Sequence, residues 1–246
     1  MLYICSPAYN EAPTVGLLLW RLRSVLQEFA REYEIVVYND GSTDASAETL
    51  KSYTEVLPLT VIGGAEHRGY GSALGALVRH VARKTRYPRR DGLLMMQADF
   101  TDRPEDLPDL VKRFEGGADI VVAESLVNDA WPAPARMLRR AAPYIMRPFL
   151  NLPAVKDPFG TLRLYRIAVL RDMLKETPDG APLIRFDGWS ANVELLVKAS
   201  RHARRIESTS FNPRYELRPR ATRVQPWRHA LALYRSARAL RSQSAS

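Results

Sequence analysis

Residues 2–44 read LYICSPAYNEAPTVGLLLWRLRSVLQEFAREYEIVVYNDGSTD, and the spacing of their apolar side chains decides the fold. Leu2 to Ser6 is a short apolar run of the length of a buried strand. Val15, Leu18, Leu19, Leu22, Leu26 and Phe29 then recur at helical spacing behind Pro13, whose fixed φ suits a first helical turn. Glu34 to Asn39 (EIVVYN) is strand-like again. Strand, helix and strand in this order make a crossover unit, so the two strands are expected to run parallel with the helix on one sheet face.

The same alternation extends outward. Asp44 to Val56 reads as a helix with Ser42 and Thr43 as cap candidates, Leu59 to Ile62 as a strand, and Gly71 to Lys84 as a helix. A strand at Gly92 to Gln97, a helix at Pro104 to Phe114 and a strand at Asp119 to Ala123 follow. The expectation is an α/β fold, Rossmann-like, with a mostly parallel sheet flanked by helices. After residue 125 the regular order fails. Ala135 to Leu150 is helical and basic, Leu162 to Tyr165 a strand, Asn192 to Arg201 a helix, Arg205 to Phe211 a last strand, and Trp227 to Arg241 a terminal helix.

The composition of 246 residues, with 46% hydrophobic and 26% charged side chains, excludes disordered, collagenous and disulfide-stapled classes. Cys5 is the single cysteine, so neither an intramolecular disulfide nor a multi-cysteine metal site can form. The opening MLYICSPAYNE lacks a basic leader, and no stretch approaches the roughly 18 apolar residues of a spanning helix. A cytoplasmic protein is expected, soluble or peripheral on the inner face of the cell membrane. Residues 201–246 hold eleven Arg against Glu207 and Glu216, which accounts for the whole net charge of +9. Such a tail points to an anionic partner. Nucleic acid is set aside, because no binding motif is present and aromatics do not interleave with the basic residues.

In an open parallel sheet, ligands bind beyond the carboxyl ends of the strands, and four polar clusters fall at such positions. Ser6 to Glu11 follows the first strand and Asn39 to Asp44 the second, where short polar side chains suit a nucleoside's ribose and base. Gln97, Asp99 and Thr101 follow the fourth. Spaced two apart, they would share one face of an extended chain and offer oxygen ligands to a divalent cation. Asp157 to Arg163 is the fourth cluster. The segment Glu66 to Ala73 is a weak match to a phosphate cradle, with Arg68 able to face an anion and Gly71 opening a helix. His67, His80, His202 and His229 form no triad pattern and read as structural or surface residues.

In this order the clusters resemble the family 2 glycosyltransferases of GT-A fold, and within them the dolichyl- or polyprenyl-phosphate mannosyltransferase branch, over roughly residues 1–215. Pro7-Ala8-Tyr9-Asn10-Glu11 looks like the branch's P-x-Y-N-E opening, and Asn39-Asp40-Gly41-Ser42 like its D-D-G-S. Gln97-Ala98-Asp99 resembles its D-x-D metal motif, with Thr101 where a further polar ligand often stands. Asp157 to Arg163 looks like D-x-x-S-G-F-R, and Asn192-Val193-Glu194 like Q-x-E. The chain departs from these patterns at Gln97 and Asn39, each of which replaces an Asp, at Gly160-Thr161, where Ser-Gly is usual, and at Ala123-Glu124-Ser125, which lacks the arginine of G-S-R.

The resemblance implies a hexosyltransferase that takes GDP-mannose or UDP-glucose as donor and inverts the anomeric centre. The donor would be bound by Pro7, Tyr9, Asn10, Glu11, Asn39, Asp40, Gly41, Ser42, Arg68 and Gly71. Mg²⁺ or Mn²⁺ held by Gln97, Asp99 and Thr101 would stabilise the leaving diphosphate, supplemented by Arg163. A polyprenyl phosphate acceptor would meet Arg163, Arg214, Arg218, Arg220 and Arg223. A hydroxyl acceptor would instead need Asp102 or Glu194 as base. The extension 216–246 is expected to present Trp227, Ala230, Leu231, Leu233, Tyr234, Ala237 and Leu240 to an anionic leaflet. Rival readings are a soluble glycan or natural-product acceptor, a non-catalytic relative, and a nucleic-acid-binding module.

Overall fold

The computed structural model describes residues 1–28, 31–125, 131, 133–146, 148–149, 155–178, 180–211 and 225–242. Its centre is a seven-stranded mixed sheet made by β1 (Leu2–Ala8), β2 (Tyr33–Asp40), β3 (Leu59–Gly64), β4 (Gly92–Met95), β5 (Ile120–Ser125), β6 (Arg163–Arg166) and β7 (Ile206–Phe211). The order is β3-β2-β1-β4-β6-β5-β7. β6 runs antiparallel to both its neighbours, and every other pair is parallel. The expected mostly parallel α/β sheet is therefore present.

The strands near the centre are apolar on both faces, because helices cover both. In β1, Leu2, Ile4 and Ala8 enter one core while Tyr3 and Cys5 enter the other. The first core is closed by α1 (Ala12–Gln27), α2 (Ser46–Tyr53) and α4 (Leu107–Glu115), the second by α3 (Tyr70–Lys84), α6 (Ile167–Lys175) and α7 (Gly188–Ser200). α1 shows why the periodicity was readable, since Val15, Leu18, Leu19, Leu22 and Leu26 are its buried stripe.

A third apolar cluster joins α5 (Ala133–Met146), α7 and α8 (Pro226–Ser242). Leu233, Ala237 and Leu240 lie in it against Leu138, Ala142, Val193 and Val197. The expected membrane-facing stripe on α8 is thus corrected. Its densest apolar part docks on the protein's own helices, and only Trp227, Leu231 and Tyr234 stay exposed, at 67, 43 and 42%.

Candidate active site

β1 and β4 are adjacent, but the chain leaves β1 toward β2 and β3 on one side and reaches β4 on the other. The crevice at their carboxyl ends is the switch point at which such sheets bind ligands. A cavity of about 400 Å³ lies there. Pro7 lines it from the end of β1, Tyr9 and Glu11 from the loop that follows, Asp40 from the end of β2, and Gln97 and Asp99 from beyond β4. Carboxylates far apart in sequence line the same cavity.

Two of these loops are clamped together. The amide of Asn10 donates to Ser42 Oγ at 3.0 Å, and Asn10 Oδ1 accepts from the Thr43 amide at 2.8 Å. Glu11 N donates to Ser46 Oγ at 2.8 Å, and Asn39 Oδ1 accepts from the Ser42 amide at 3.2 Å. Asn10 holds a left-handed φ of 55°, which asparagine tolerates better than most residues. Asn10, Asn39 and Ser42 therefore build the loops, and none of the three lines the cavity.

The Asp40 carboxylate is buried, and both its oxygens are engaged. Oδ1 accepts from the Arg68 amide at 2.8 Å, while Oδ2 accepts from the Gly69 amide at 2.9 Å and lies 2.8 Å from His67 Nδ1. Gly41 follows at φ 68°, where a Cβ would sit 2.6 Å from the His67 amide nitrogen, so no side chain fits. Arg68 contributes through its backbone; its side chain is exposed and pairs with Glu66. At Gly71 a Cβ would come 2.1 Å from the Phe186 carbonyl, and its amide donates to Asp187 Oδ1 at 2.9 Å. Close helix packing, not phosphate binding, explains this glycine.

The loop beyond β4 differs from the extended shelf expected. β4 ends at Met95, and Phe100 takes a left-handed φ of 61°, so the chain turns and the two-residue alternation is lost. Gln97 and Asp99 reach the cavity wall, whereas Thr101 does not. Asp99 Oδ1 accepts from the Thr101 amide at 3.0 Å. Gln97 Nε2 donates to Thr161 Oγ1 at 2.8 Å, which orients its amide. Asp102 is buried off the wall and accepts from the Gln97 amide at 2.8 Å; burial, and then the charge of Asp99, push its pKa up to about 7.

Three further expectations are corrected. Arg163 is buried and donates to the carbonyls of Asn192 and Pro158, each at 2.6 Å, so it faces neither donor nor acceptor. Glu194 is fully buried, accepting from the Arg185 and Phe186 amides at 2.7 and 3.1 Å and pairing with Lys198 at 2.7 Å. A carboxylate held this way organises the entry to α7 and has no path to a substrate proton. His67, read as structural or surface, lines the cavity. Arg214, Arg218, Arg220 and Arg223 lie outside the described residues.

Tyr70, Asp187, Trp189 and Asn192 complete the cavity lining, and none of them was offered as a site residue; Tyr70 donates to Asn192 Oδ1 at 2.9 Å. Asp187 is the residue before α7, and its signal was available, because an Asp-Gly pair ahead of an apolar helix is a usual start. Reading that helix only from Asn192 hid its first turn, with Asp187 as the cap and Trp189 just inside it.

Among the described residues no three His, Cys, Asp or Glu side chains form a preassembled metal cluster. Asp99 and Gln97 nonetheless offer one carboxylate and one amide oxygen on the cavity wall. That donor set fits a hard cation that completes its shell with substrate phosphates, as Mg²⁺ commonly does.

Residues 3–174 match the family described as glycosyl transferase family 2. The undecaprenyl-phosphate 4-deoxy-4-formamido-L-arabinose transferase of Edwardsiella ictaluri is 29% identical over 212 residues, covering 83% of this chain and 60% of that protein. Its namesake from Pseudomonas paraeruginosa is 30% identical over 171 residues, covering 68 and 48%. The chain thus spans about half to three fifths of the length of these relatives. In fold it resembles Mycobacterium tuberculosis glucosyl-3-phosphoglycerate synthase in complex with Mn²⁺, UDP and glucosyl-3-phosphoglycerate, with a TM-score of 0.63 at 19% identity over 98% of this chain and 78% of that one. It also resembles Staphylococcus aureus TarS 1–349 with UDP-GlcNAc, with a TM-score of 0.59 at 19% identity over 86 and 57%.

Proposed function

Since the chain belongs to glycosyl transferase family 2, we propose that it transfers a sugar from a nucleoside-diphosphate donor, held in the cavity at the ends of β1, β2 and β4, to a polyprenyl phosphate. The observation that carries this reading is the meeting of Tyr9, Glu11, Asp40, Gln97 and Asp99 around one crevice. The names of the relatives at 29 and 30% identity support the acceptor class. GDP-mannose and UDP-glucose stand within this proposal as the donors.

A phosphate monoester is largely ionised at neutral pH, its second pKa being about 6, so such an acceptor attacks the anomeric carbon without a general base. The charge that develops on the departing diphosphate is what the site must stabilise. Mg²⁺ or Mn²⁺ bound by Asp99 and Gln97 would supply Lewis-acid stabilisation of that leaving group. Gln97 is held in place by Thr161, and Asp99 by the Thr101 amide. The clamp between the first two loops keeps Tyr9 and Glu11 at a set distance from Asp40. Tyr70, Asn192 and Trp189 complete the lining of the cavity.

Peripheral attachment to an anionic leaflet belongs to the same proposal. No helix among the described residues is long and apolar enough to cross a membrane. α8 combines exposed Trp227, Leu231 and Tyr234 with four arginines and no acid, the composition of an interfacial helix.

The test is transfer of radiolabelled sugar from UDP- and GDP-linked donors to undecaprenyl phosphate in vesicles. Asp99→Asn is expected to lower turnover by roughly a hundredfold or more while the melting temperature holds. Asp187 favours a second reading, because its exposed carboxylate lies on the cavity wall and is placed to take a proton from a hydroxyl acceptor. Turnover with water-soluble glycans, and none with the lipid phosphate, would select that reading.

A further inference from the structure

β3 is one edge of the sheet, and among the described residues it pairs with β2 alone. Its sequence, LTVIGG, holds neither a charge nor a proline, the side chains that commonly keep an exposed edge from pairing. β7 at the other edge does carry such a guard, since Glu207 pairs with Arg113 and Arg205. Ile35 of β2 donates to the Pro58 carbonyl. In a parallel ladder with this register, the amides of Thr60 and Ile62 then turn toward β2, and those of Val61 and Gly63 turn outward. Val61 itself is 37% exposed.

A groove of about 620 Å³ lies between this edge and α3. Tyr38, Ile62 and Ala76 give it an apolar lining, and Arg79, Arg83 and Lys84 a basic one. Lys84 is neutralised by Glu34 at 2.5 Å, whereas Arg79 donates only to the Ala181 carbonyl, at 2.9 Å. Among the described residues neither Arg79 nor Arg83 pairs with a carboxylate. The local sequence explains this, because no Asp or Glu stands between Glu66 and Asp91. Two uncompensated cations thus flank an unguarded strand edge.

We propose that β3 and this groove form a docking surface for an acidic, extended segment of a partner protein, which joins the sheet as a further strand. Its main chain pairs with the outward amides of Val61 and Gly63, and its acidic side chains on the α3 side meet Arg79 and Arg83. Charge selects this occupant. A second copy pairing through its own β3 would set two basic α3 flanks side by side on one face of the joined sheet, and that juxtaposition is repulsive. The surface is separate from the catalytic cavity, which lies beyond the ends of β1, β2 and β4.

The probe is a fluorescent peptide of about seven residues alternating glutamate with valine, a length that spans one strand. Fluorescence anisotropy reads its binding, with a peptide carrying lysine in place of glutamate as control. Wild-type protein is expected to bind the acidic peptide about tenfold or more tightly than the basic one, and less tightly as salt rises. Amide hydrogen exchange at Val61 and Gly63 should slow when the peptide binds. Arg83→Glu disturbs no ion pair of the fold and should weaken the acidic peptide about tenfold. Val61→Pro removes one outward N–H and should weaken it comparably, with thermal melting of both variants as the check on folding. Failure of wild-type protein to bind the acidic peptide, or binding that leaves exchange at Val61 and Gly63 unchanged, would overturn the proposal. A solution dimer that Val61→Pro converts to monomer would also overturn it, by giving the edge to a second copy. Binding to anionic vesicles that Arg83→Glu abolishes would do the same, by giving the arginines to lipid.

Discussion

Asp102 shows what burial does to a carboxyl that sequence alone marks as a candidate base. It lies off the cavity wall, bonded to the Gln97 amide, with its pKa pushed up to about 7 by burial and by Asp99. A group whose folded pKa exceeds its unfolded value binds more protons in the native state, so its share of stability is present at low pH and lost as pH rises. Wild-type protein in metal-free buffer is therefore expected to lose this contribution between about pH 4 and 7, the interval between the model carboxyl value and the folded one. Urea titrations across that range should show a flatter profile for Asp102→Asn; identical slopes would mean that Asp102 is ionised in the fold. Arg163 and Glu194 teach the same lesson. Charged residue types at motif spacings were visible in the sequence, but which charges face substrate and which tie loops together depends on partners 5 to 30 residues away, such as the Asn192 carbonyl on Arg163.

At the scale of the element, α8 divides its apolar residues between two environments. Leu233 packs into the cluster shared with α5 and α7, and Leu233→Ala is expected to cost about 3 kcal/mol, measured from the urea midpoint. Trp227 and Leu231 are exposed, so the double change Trp227→Ala/Leu231→Ala should leave that midpoint nearly unmoved while weakening co-sedimentation with vesicles rich in anionic lipid. Binding equal to wild type would remove the membrane role of this helix. Its helical spacing was readable from sequence; which side docks was not, because the receiving surface comes from α5 and α7. α6 was overlooked for a local reason. β6 runs directly into it, with Arg166 as the only junction and no Ser, Asp, Gly or Pro to mark a boundary.

For the whole molecule, the sheet order places the first, second and fourth strand ends around one crevice, and ligand binding there should stabilise the entire fold. By mass action, a donor nucleotide at a hundred times its Kd adds about 2.7 kcal/mol, which thermal melting reads as an upward shift. Among UDP-, GDP-, CDP- and ADP-sugars, only those that bind should produce it, and a flat response to all four would contradict the donor proposal.

The alternation of strands and helices, the two buried faces of the sheet and the family resemblance were all legible in the order of residues, because hydrophobic periodicity and short strand-end motifs are local properties. The lining that Asp187 and Trp189 add to the cavity, the engagement of Asp40 by the Arg68 and Gly69 amides and the docking of α8 were not. Each joins segments far apart in the chain, and such contacts exist only once the helices have packed on the sheet and excluded water from between them.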